Sequence, residues 1–431
     1  MKQAFRRAVG RILESQVKRL IASHSLIVVA VGGSVGKTTT KMAIARVLSV
    51  KYRVMVQEGN YNSEISLPLM VFGQAVPSIL FNPVAWAVRM VRAEAMIRGD
   101  YPYDVIVLEL GTDHPGEIAH FMTYLRPTIG VVTAVTPEHM ENFASLDAVA
   151  EEELALAAGS TTALTSENDV PKRYRDKFLA GHKQPLSYGQ SPEATYSVKT
   201  RDADLVDGTD CIFLKLGHAT MVGVTLGVYG EPAVKAAAAS YAVGDILGLT
   251  RAELEAGLVL ITPVAGRMRI FAGLNGSTII DDTYNSSPEA VAAAMASLAA
   301  VPGAGRRIAV MGSMNELGVD TARYHTESGA LCSNVDYLVT VGELAGKYLG
   351  PAAVAAGLDP SRFKPAVSPY AAGEFLRLII GPGDVVLAKG SQNGVFAEET
   401  VKLLLADPAD GPRLVRQSEA WLKIKAKQFQ V

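Results

Sequence analysis

Residues 25–31 (SLIVVAV) form a short apolar run rich in β-branched side chains, broken at once by Gly32 and Gly33 and followed by a helix-forming stretch over 37–48. That order predicts strand, loop, helix. Similar runs at 54–57, 105–108 and 129–134 are separated by helical or loop material, the pattern of a mainly parallel sheet with ligands at the carboxyl ends of its strands. Residues 185–228 predict shorter strands with turns, and 231–258 two alanine-rich helices. A second α/β series begins near Gly266, with strands at 277–281, 307–311, 337–341 and 384–388 and a helix at 288–300. Residues 354–365 and 407–412 read as loops. At the other end of the chain, Phe5, Val9, Ile12, Leu13, Val17, Leu20 and Ile21 recur at helical spacing, with Lys2, Arg6, Arg7, Arg11, Lys18 and Arg19 mostly on the opposite face. The expected organisation is therefore a basic amphipathic helix over 1–24, an α/β domain over 25–265 and a second α/β domain over 266–431, with the boundary near 263–268.

Composition narrows this picture. With 431 residues, 49% hydrophobic and 19% charged, the chain has ample material for two cores. A net charge of -2 gives no global reason to expect nucleic acid. Cys211 and Cys332 are too few for a disulfide framework or a cysteine metal site, which fits a reducing cytoplasm. No run of 18 apolar residues and no signal-peptide core occurs, so a cytoplasmic protein is expected. The plain reading of the basic helix is a docked helix with a solvated face; a peripheral membrane or protein contact through it is the other.

The sharpest chemical signal is Gly32-Gly33-Ser34-Val35-Gly36-Lys37-Thr38-Thr39-Thr40, set between the first strand and the first helix after it. Glycines let backbone N–H groups converge on phosphate oxygens, Lys37 supplies positive charge, and the Thr38 hydroxyl suits Mg²⁺. The general phosphate-loop pattern wants glycine at position 31, where this chain has Val31. Glu109, delivered to the end of the 105–108 strand, is a carboxylate in the right place for the same cation.

At this point the chain resembles the Mur ligase family. The segments GGSVGKTTT (32–40), GNYNSEISLPL (59–69), LELGTDHPGEIAHF (108–121) and TPEHMENFASLDAVAEEE (136–153) follow the order and spacing of that family's central domain. GRM (266–268), DDTYNSSPEA (281–290), MGSMNELG (311–318), His325 and GDVVLAKGSQNGVFAEETV (383–401) are similar to its last domain. The nearest likeness is to the members that add D-alanyl-D-alanine. The resemblance implies a P-loop central ATPase domain and a Rossmann-like C-terminal α/β domain. It implies ATP phosphates on Gly33, Ser34, Val35, Gly36, Lys37, Thr38 and Thr39, a first Mg²⁺ on Thr38 and Glu109, and a second served by His139. Arg267, Asp282 and Asn285 would close over ATP. Asn60, Asn62 and Ser63 would face a carboxylate substrate, and Lys389 and Ser391 an amine. The implied reaction activates a carboxylate as an acyl phosphate and joins it to an amine, releasing ADP and phosphate, with Lys37, Glu109, His139, Asp282 and Lys389 carrying the catalysis. The expected substrates are a carboxylate-bearing cell-wall peptide precursor and D-alanyl-D-alanine or a similar amino acid or dipeptide. A folylpolyglutamate- or polyglutamate-type ligase and a non-catalytic nucleotide-binding regulator are the alternatives.

Three departures qualify the likeness. The phosphate loop begins at residue 32, whereas family members that use UDP-sugars carry a uridine-nucleotide-binding domain before it, so no such domain is expected here. The family's carbamylated lysine falls on Glu153, which offers directly the carboxylate that the carbamate would supply; the bland reading of Glu151-Glu152-Glu153 is a solvated acidic turn. The histidine-asparagine pair that helps seat the adenine is matched by Pro232-Ala233.

Overall fold

The first strand, β1 (Ile27–Gly32), is apolar from end to end because it lies in the middle of a sheet covered on both faces. In the computed structural model Val29 and Val31 enter one core and Val28 and Ala30 the other, the alternation that a strand requires. The structure describes residues 2–57, 63–77, 82–138, 140–219, 221–391 and 394–430, with side chains from residue 5 onward.

Around β1 are ordered β2 (Val54–Val56), β3 (Val105–Glu109), β4 (Ile129–Val132), β5 (Thr162–Ser166), β6 (Leu186–Gly189), β7 (Tyr196–Asp204), β8 (Gly208–Lys215) and β9 (Met221–Leu226). The nine-stranded order is β2-β3-β1-β4-β5-β6-β7-β8-β9, parallel as far as β7 and antiparallel through β8 and β9. The helices Lys37–Leu48 and Glu231–Ile246 pack on one face, and Lys2–His24, Pro83–Arg98 and Leu146–Ala158 on the other.

The second sheet is built from β10 (Arg269–Ala272), β11 (Thr278–Asp282), β12 (Arg307–Gly312), β13 (Tyr337–Val341), β14 (Phe363–Ala366) and β15 (Val385–Lys389). Its order is β10-β11-β15-β12-β13-β14, parallel except for the β10–β11 pair. Strand order reverses between β11 and β12, with β15 inserted, so the carboxyl ends of β11 and β15 open a crevice where ligands bind in sheets of this kind.

Two loop expectations need correction. Residues 354–365 hold the end of the helix Gly350–Ala355, a 3₁₀ turn at Pro360–Arg362 and most of β14. β14 escaped notice because an edge strand carrying Pro365 and the exposed Lys364 lacks an apolar alternation. Residues 407–412 likewise lie largely within a 3₁₀ segment, Pro408–Arg413, opened by the side chain of Asp407.

Candidate active site

The carboxyl ends of β1, β3, β4 and β5 in the first sheet and of β11 and β15 in the second converge on one cavity of about 650 Å³. That volume lies in the range of small-ligand sites. Ser34, Val35, Gly36, Lys37, Thr38, Thr39 and Glu109 line it from one side, and Arg267, Asp282, Asn285 and Lys389 from the other.

The phosphate loop owes its shape to Gly33, at φ +116°, where a Cβ would stand 2.3 Å from Thr133 Oγ1 and 2.8 Å from the Ala134 nitrogen. Only glycine meets both demands. The loop is braced from the segment after β4: Ser34 N–H donates to Ala134 O (3.0 Å) and Ser34 Oγ to Thr136 O (3.0 Å). Thr133 Oγ1 donates to Gly32 O (3.0 Å) and Val35 O (2.6 Å). The helix that follows starts at Gly36, in the left-handed region, with no side-chain cap. Its first-turn N–H groups, which have no intrahelical acceptor, are thus directed at the cavity as an anion site.

Lys37 Nζ curls back to donate to Gly33 O (2.6 Å) and Ser34 O (3.3 Å) and lies 3.4 Å from Glu138. Burial alone would lower its pKa, but Glu138, Glu153 and Glu109 outweigh this and raise it, so the amine stays charged. Thr38 Oγ1 donates to Glu109 Oε1 at 3.1 Å, and Gln57 Oε1 accepts the Glu109 N–H at 2.7 Å. Behind that carboxylate, Lys41 Nζ approaches Glu109 Oε2 at 3.1 Å.

A hydroxyl and a carboxylate side by side at the end of an anion-binding loop are hard oxygen donors suited to Mg²⁺, which takes few protein ligands and completes its shell with phosphate and water. Among the described residues there is no group of three or more His, Cys, Asp or Glu that would enclose a metal by protein alone. The residues present therefore fit a Mg²⁺–nucleotide.

Glu153 does not line the cavity; it lies behind the loop, 2% exposed, accepting the Gly33 N–H at 2.6 Å. Burial pushes its carboxyl up to about 7, with Glu138 adding to the effect and Lys37 and the Gly33 N–H opposing it. Glu152 is buried too, accepting from the Gly116 and Ile118 N–H groups (both 2.7 Å), so these two are not a solvated acidic turn; only Glu151 is exposed.

On the second sheet, Lys389 Nζ donates to Asp282 Oδ2 (2.7 Å) and Asn285 O (3.0 Å). Burial first, and Arg267 second, lower the Lys389 pKa against the pull of Asp282. Arg267 stacks its guanidinium 4.4 Å from the Tyr284 ring centre. Ser391 is buried with its hydroxyl on Ser313 O (2.7 Å), and Ser63 shares its hydroxyl with Ser66 (2.7 Å) at the start of a short helix; neither lines the cavity. Asn60, Asn62 and His139 lie outside the described residues.

Residues 31–76 and 94–244 match the Mur ligase middle domain, and residues 266–392 match the Mur ligase, glutamate ligase domain, together about three quarters of the chain. The chain belongs to the Mur ligase family. This Mur ligase is 28% identical over 409 residues to the UDP-N-acetylmuramoyl-tripeptide–D-alanyl-D-alanine ligase of Bacillus subtilis, covering 92% of this chain and 79% of that one. The enzyme of the same name from Mycobacterium tuberculosis H37Rv is 29% identical over 427 residues, covering 94% and 78%. The crystal structure of MurF ligase from Thermotoga maritima in complex with ADP superposes with a TM-score of 0.73 at 25% identity, covering 91% of this chain and 83% of that chain. A Mycobacterium tuberculosis folylpolyglutamate synthase shares the fold at a TM-score of 0.60 and 16% identity.

Five cavity or support residues of this Mur ligase carry no clear signal in the sequence: Lys41, Gln57, Glu138, and Asp169 with Lys235, an ion pair at 2.7 Å. Lys41 carries a faint one, being one helical turn after Lys37 on the same face.

Proposed function

We propose that this chain joins a carboxylate to an amine at the expense of ATP, in the cytoplasm, through an acyl phosphate. We further propose that the pair is a muramoyl-peptide carboxylate and D-alanyl-D-alanine or a closely similar amine. The observation that carries the reading is the meeting, in one cavity, of an uncapped phosphate loop bearing Lys37, Thr38 and Glu109 with Arg267, Asp282 and Lys389 from the other sheet.

A carboxylate does not condense with an amine at neutral pH because its leaving group would be oxide. Attack of a carboxylate oxygen on the γ-phosphorus of ATP breaks the bond to the bridging oxygen, releases ADP and leaves an acyl phosphate; the amine then attacks the acyl carbon, loses a proton and expels phosphate. Lys37 and the first-turn N–H groups hold positive charge where negative charge spreads over the transferring group. Mg²⁺, held by Thr38 and Glu109 when bound, supplies charge neutralisation of the phosphates. Lys389 fixes Asp282 and the Asn285 carbonyl, and Arg267 holds its guanidinium 4.4 Å from the Tyr284 ring centre, so the second sheet presents an ordered wall to the nucleotide. Enclosure between the two sheets keeps water from the acyl phosphate. Of the residues the family likeness points to, Lys389 lines the cavity and is assigned to the amine, Asn60 and Asn62 to the carboxylate substrate and His139 to a second cation; Ser63, Ser391 and Glu153 stand outside the lining, so any part they have is indirect.

The test is release of ADP and phosphate with Mg²⁺-ATP, offering UDP-muramoyl tripeptide and D-alanyl-D-alanine singly and together, with Lys37→Ala as control. Release that requires both, with a new amide by mass, supports the reading. No release with that pair, alongside ATP binding that Lys37→Ala abolishes, overturns the substrate assignment.

A further inference from the structure

The basic helix Lys2–His24 has no part in the cavity, and its surroundings are unusual. It lies alongside the helix Pro83–Arg98, running in the same direction: Gln16 Nε2 donates to Met90 O (2.8 Å), Arg19 pairs with Glu94 (2.8 Å), and Ser23 reaches Ile97 O (3.5 Å). Both helices bury one stripe in the same body. Val9, Leu13 and Trp86 share one cluster, and Val17, Leu20, Ala93 and Ile97 another. The stripes opposite these therefore point the same way, outward.

On the Lys2–His24 helix the outward stripe is Arg7, Arg11 and Lys18, all exposed, with Arg6 exposed near its start. On the Pro83–Arg98 helix it is Val84, Val88 and Val91, spaced i, i+4, i+7 and with Val84 and Val91 69% and 68% exposed, flanked by the exposed Arg92. Ile12, 46% exposed, lies on the neighbouring stripe. Exposed arginines elsewhere are typically held in ion pairs, as are Arg53 with Asp104, Arg251 with Glu255 and Arg323 with Asp320. Among the described residues Arg6, Arg7, Arg11, Lys18 and Arg92 have no such pair within 4.0 Å. The whole chain has a net charge of -2, so this concentration of unpaired positive charge around bare valines is local.

A nucleic-acid surface needs the cations but has no use for a row of valines. A solvated helix face needs neither. We propose that this two-helix face is a peripheral docking surface for an anionic lipid bilayer, with Arg7, Arg11 and Lys18 on headgroup phosphates and Val84, Val88 and Val91 at the acyl boundary. No described helix is long and apolar enough to cross a membrane, so contact is from one side. The proposal stands apart from the ligase reading, because its test requires no turnover.

The full chain is sedimented with phosphatidylcholine vesicles with and without phosphatidylglycerol, and variants are checked for folding by circular-dichroism melting. Binding is expected only with phosphatidylglycerol. Each basic side chain near an anionic leaflet contributes about fivefold, so Arg7→Glu/Arg11→Glu/Lys18→Glu weakens binding by more than roughly tenfold. Val84→Ser/Val88→Ser/Val91→Ser weakens it several-fold with all charges intact. Equal sedimentation with both lipids, no sedimentation, or variants that bind like the parent overturn the proposal. So does a serine variant that keeps full vesicle binding while the parent binds a DNA duplex as tightly as vesicles, which assigns the face to a polyanion.

Discussion

Lys41 and Glu109 face each other beneath the phosphate loop with Nζ 3.1 Å from Oε2 and each side chain 1% exposed. A buried ion pair of this kind adds little net stability, but removing Lys41 takes from Glu109 a countercharge 3.1 Å away in a low-dielectric site, leaving the Thr38 hydroxyl and the charge of Lys37 to compensate it in part. Lys41→Met is therefore expected to cost about 3–5 kcal/mol in urea unfolding with EDTA present. Mg²⁺-ATP should recover more of that loss in the variant than it adds to the parent, since a cation beside Glu109 replaces the missing charge. A loss below about 1 kcal/mol would mean that the carboxylate is compensated from elsewhere.

Gly33 and Gly36 both have positive φ, but they differ in the space around them, and this separates two kinds of strain. Gly33→Ala places a methyl against backbone and the Thr133 hydroxyl and is expected to cost about 2–4 kcal/mol and abolish nucleotide binding. Gly36→Ala, whose methyl would meet only Thr133 Cβ at 3.8 Å, pays the dihedral strain alone, about 1–2 kcal/mol. Thermal melts and ADP-binding calorimetry of the two variants check the ranking; equal losses would refute the packing argument.

These cases show where sequence carried the site and where it stopped. The phosphate loop is legible because its requirements are local: glycine where φ is positive, lysine and threonine at the start of the helix. Glu109 is legible because it ends a buried strand beside that loop. Gln57 and Glu138 are not, since their value comes from β2 lying next to β3 and from the 133–138 segment passing over the loop, contacts set by strand order. Glu152 and Glu153 read equally as a solvated turn because burial of a carboxylate depends on partners far along the chain; the Gly33 N–H is 120 residues away. In the fold, β10 and β14 were missed for being short edge strands without apolar alternation, while the long buried runs of β1, β3 and β12 were plain.

Asp281 is fully buried at the end of β11, accepting the Gly266 N–H (3.1 Å) and the Thr283 hydroxyl (2.5 Å). Burial raises its pKa to about 6, with Asp282 and Glu398 adding and the Thr283 bonds opposing. A carboxyl whose folded pKa lies above its unfolded value stabilises fully below the unfolded value of 3.8 and loses that contribution as pH rises through about 6. Asp281→Asn removes the titration but keeps only one acceptor, because the Gly266 N–H meets Oδ2 and the Thr283 groups meet Oδ1; the lost bond is an offset that does not change with pH. Its stability relative to the parent should therefore rise by roughly 2–3 kcal/mol between pH 4 and pH 7.5. Urea unfolding across that range checks this; parallel pH profiles for parent and variant would sink it.

Glu153 holds the last test, because its position serves two roles that differ in what Mg²⁺ does. Its carboxylate receives the Gly33 N–H at 2.6 Å, so it steadies the loop whatever else it does. Glu153→Gln retains a carbonyl for that N–H but removes the negative charge that would stand in for a carbamate beside a second cation. If the carboxylate serves the cation, the variant needs at least roughly tenfold more Mg²⁺ for half-maximal ADP release, in line with loss of a supporting ligand, while ATP affinity at saturating Mg²⁺ changes little. If it only steadies the loop, the Mg²⁺ requirement is that of the parent, and any defect appears as weaker ATP binding at every Mg²⁺ concentration. Glu153→Ala separates the two further, since it removes brace and charge together and must show both defects if the first account holds.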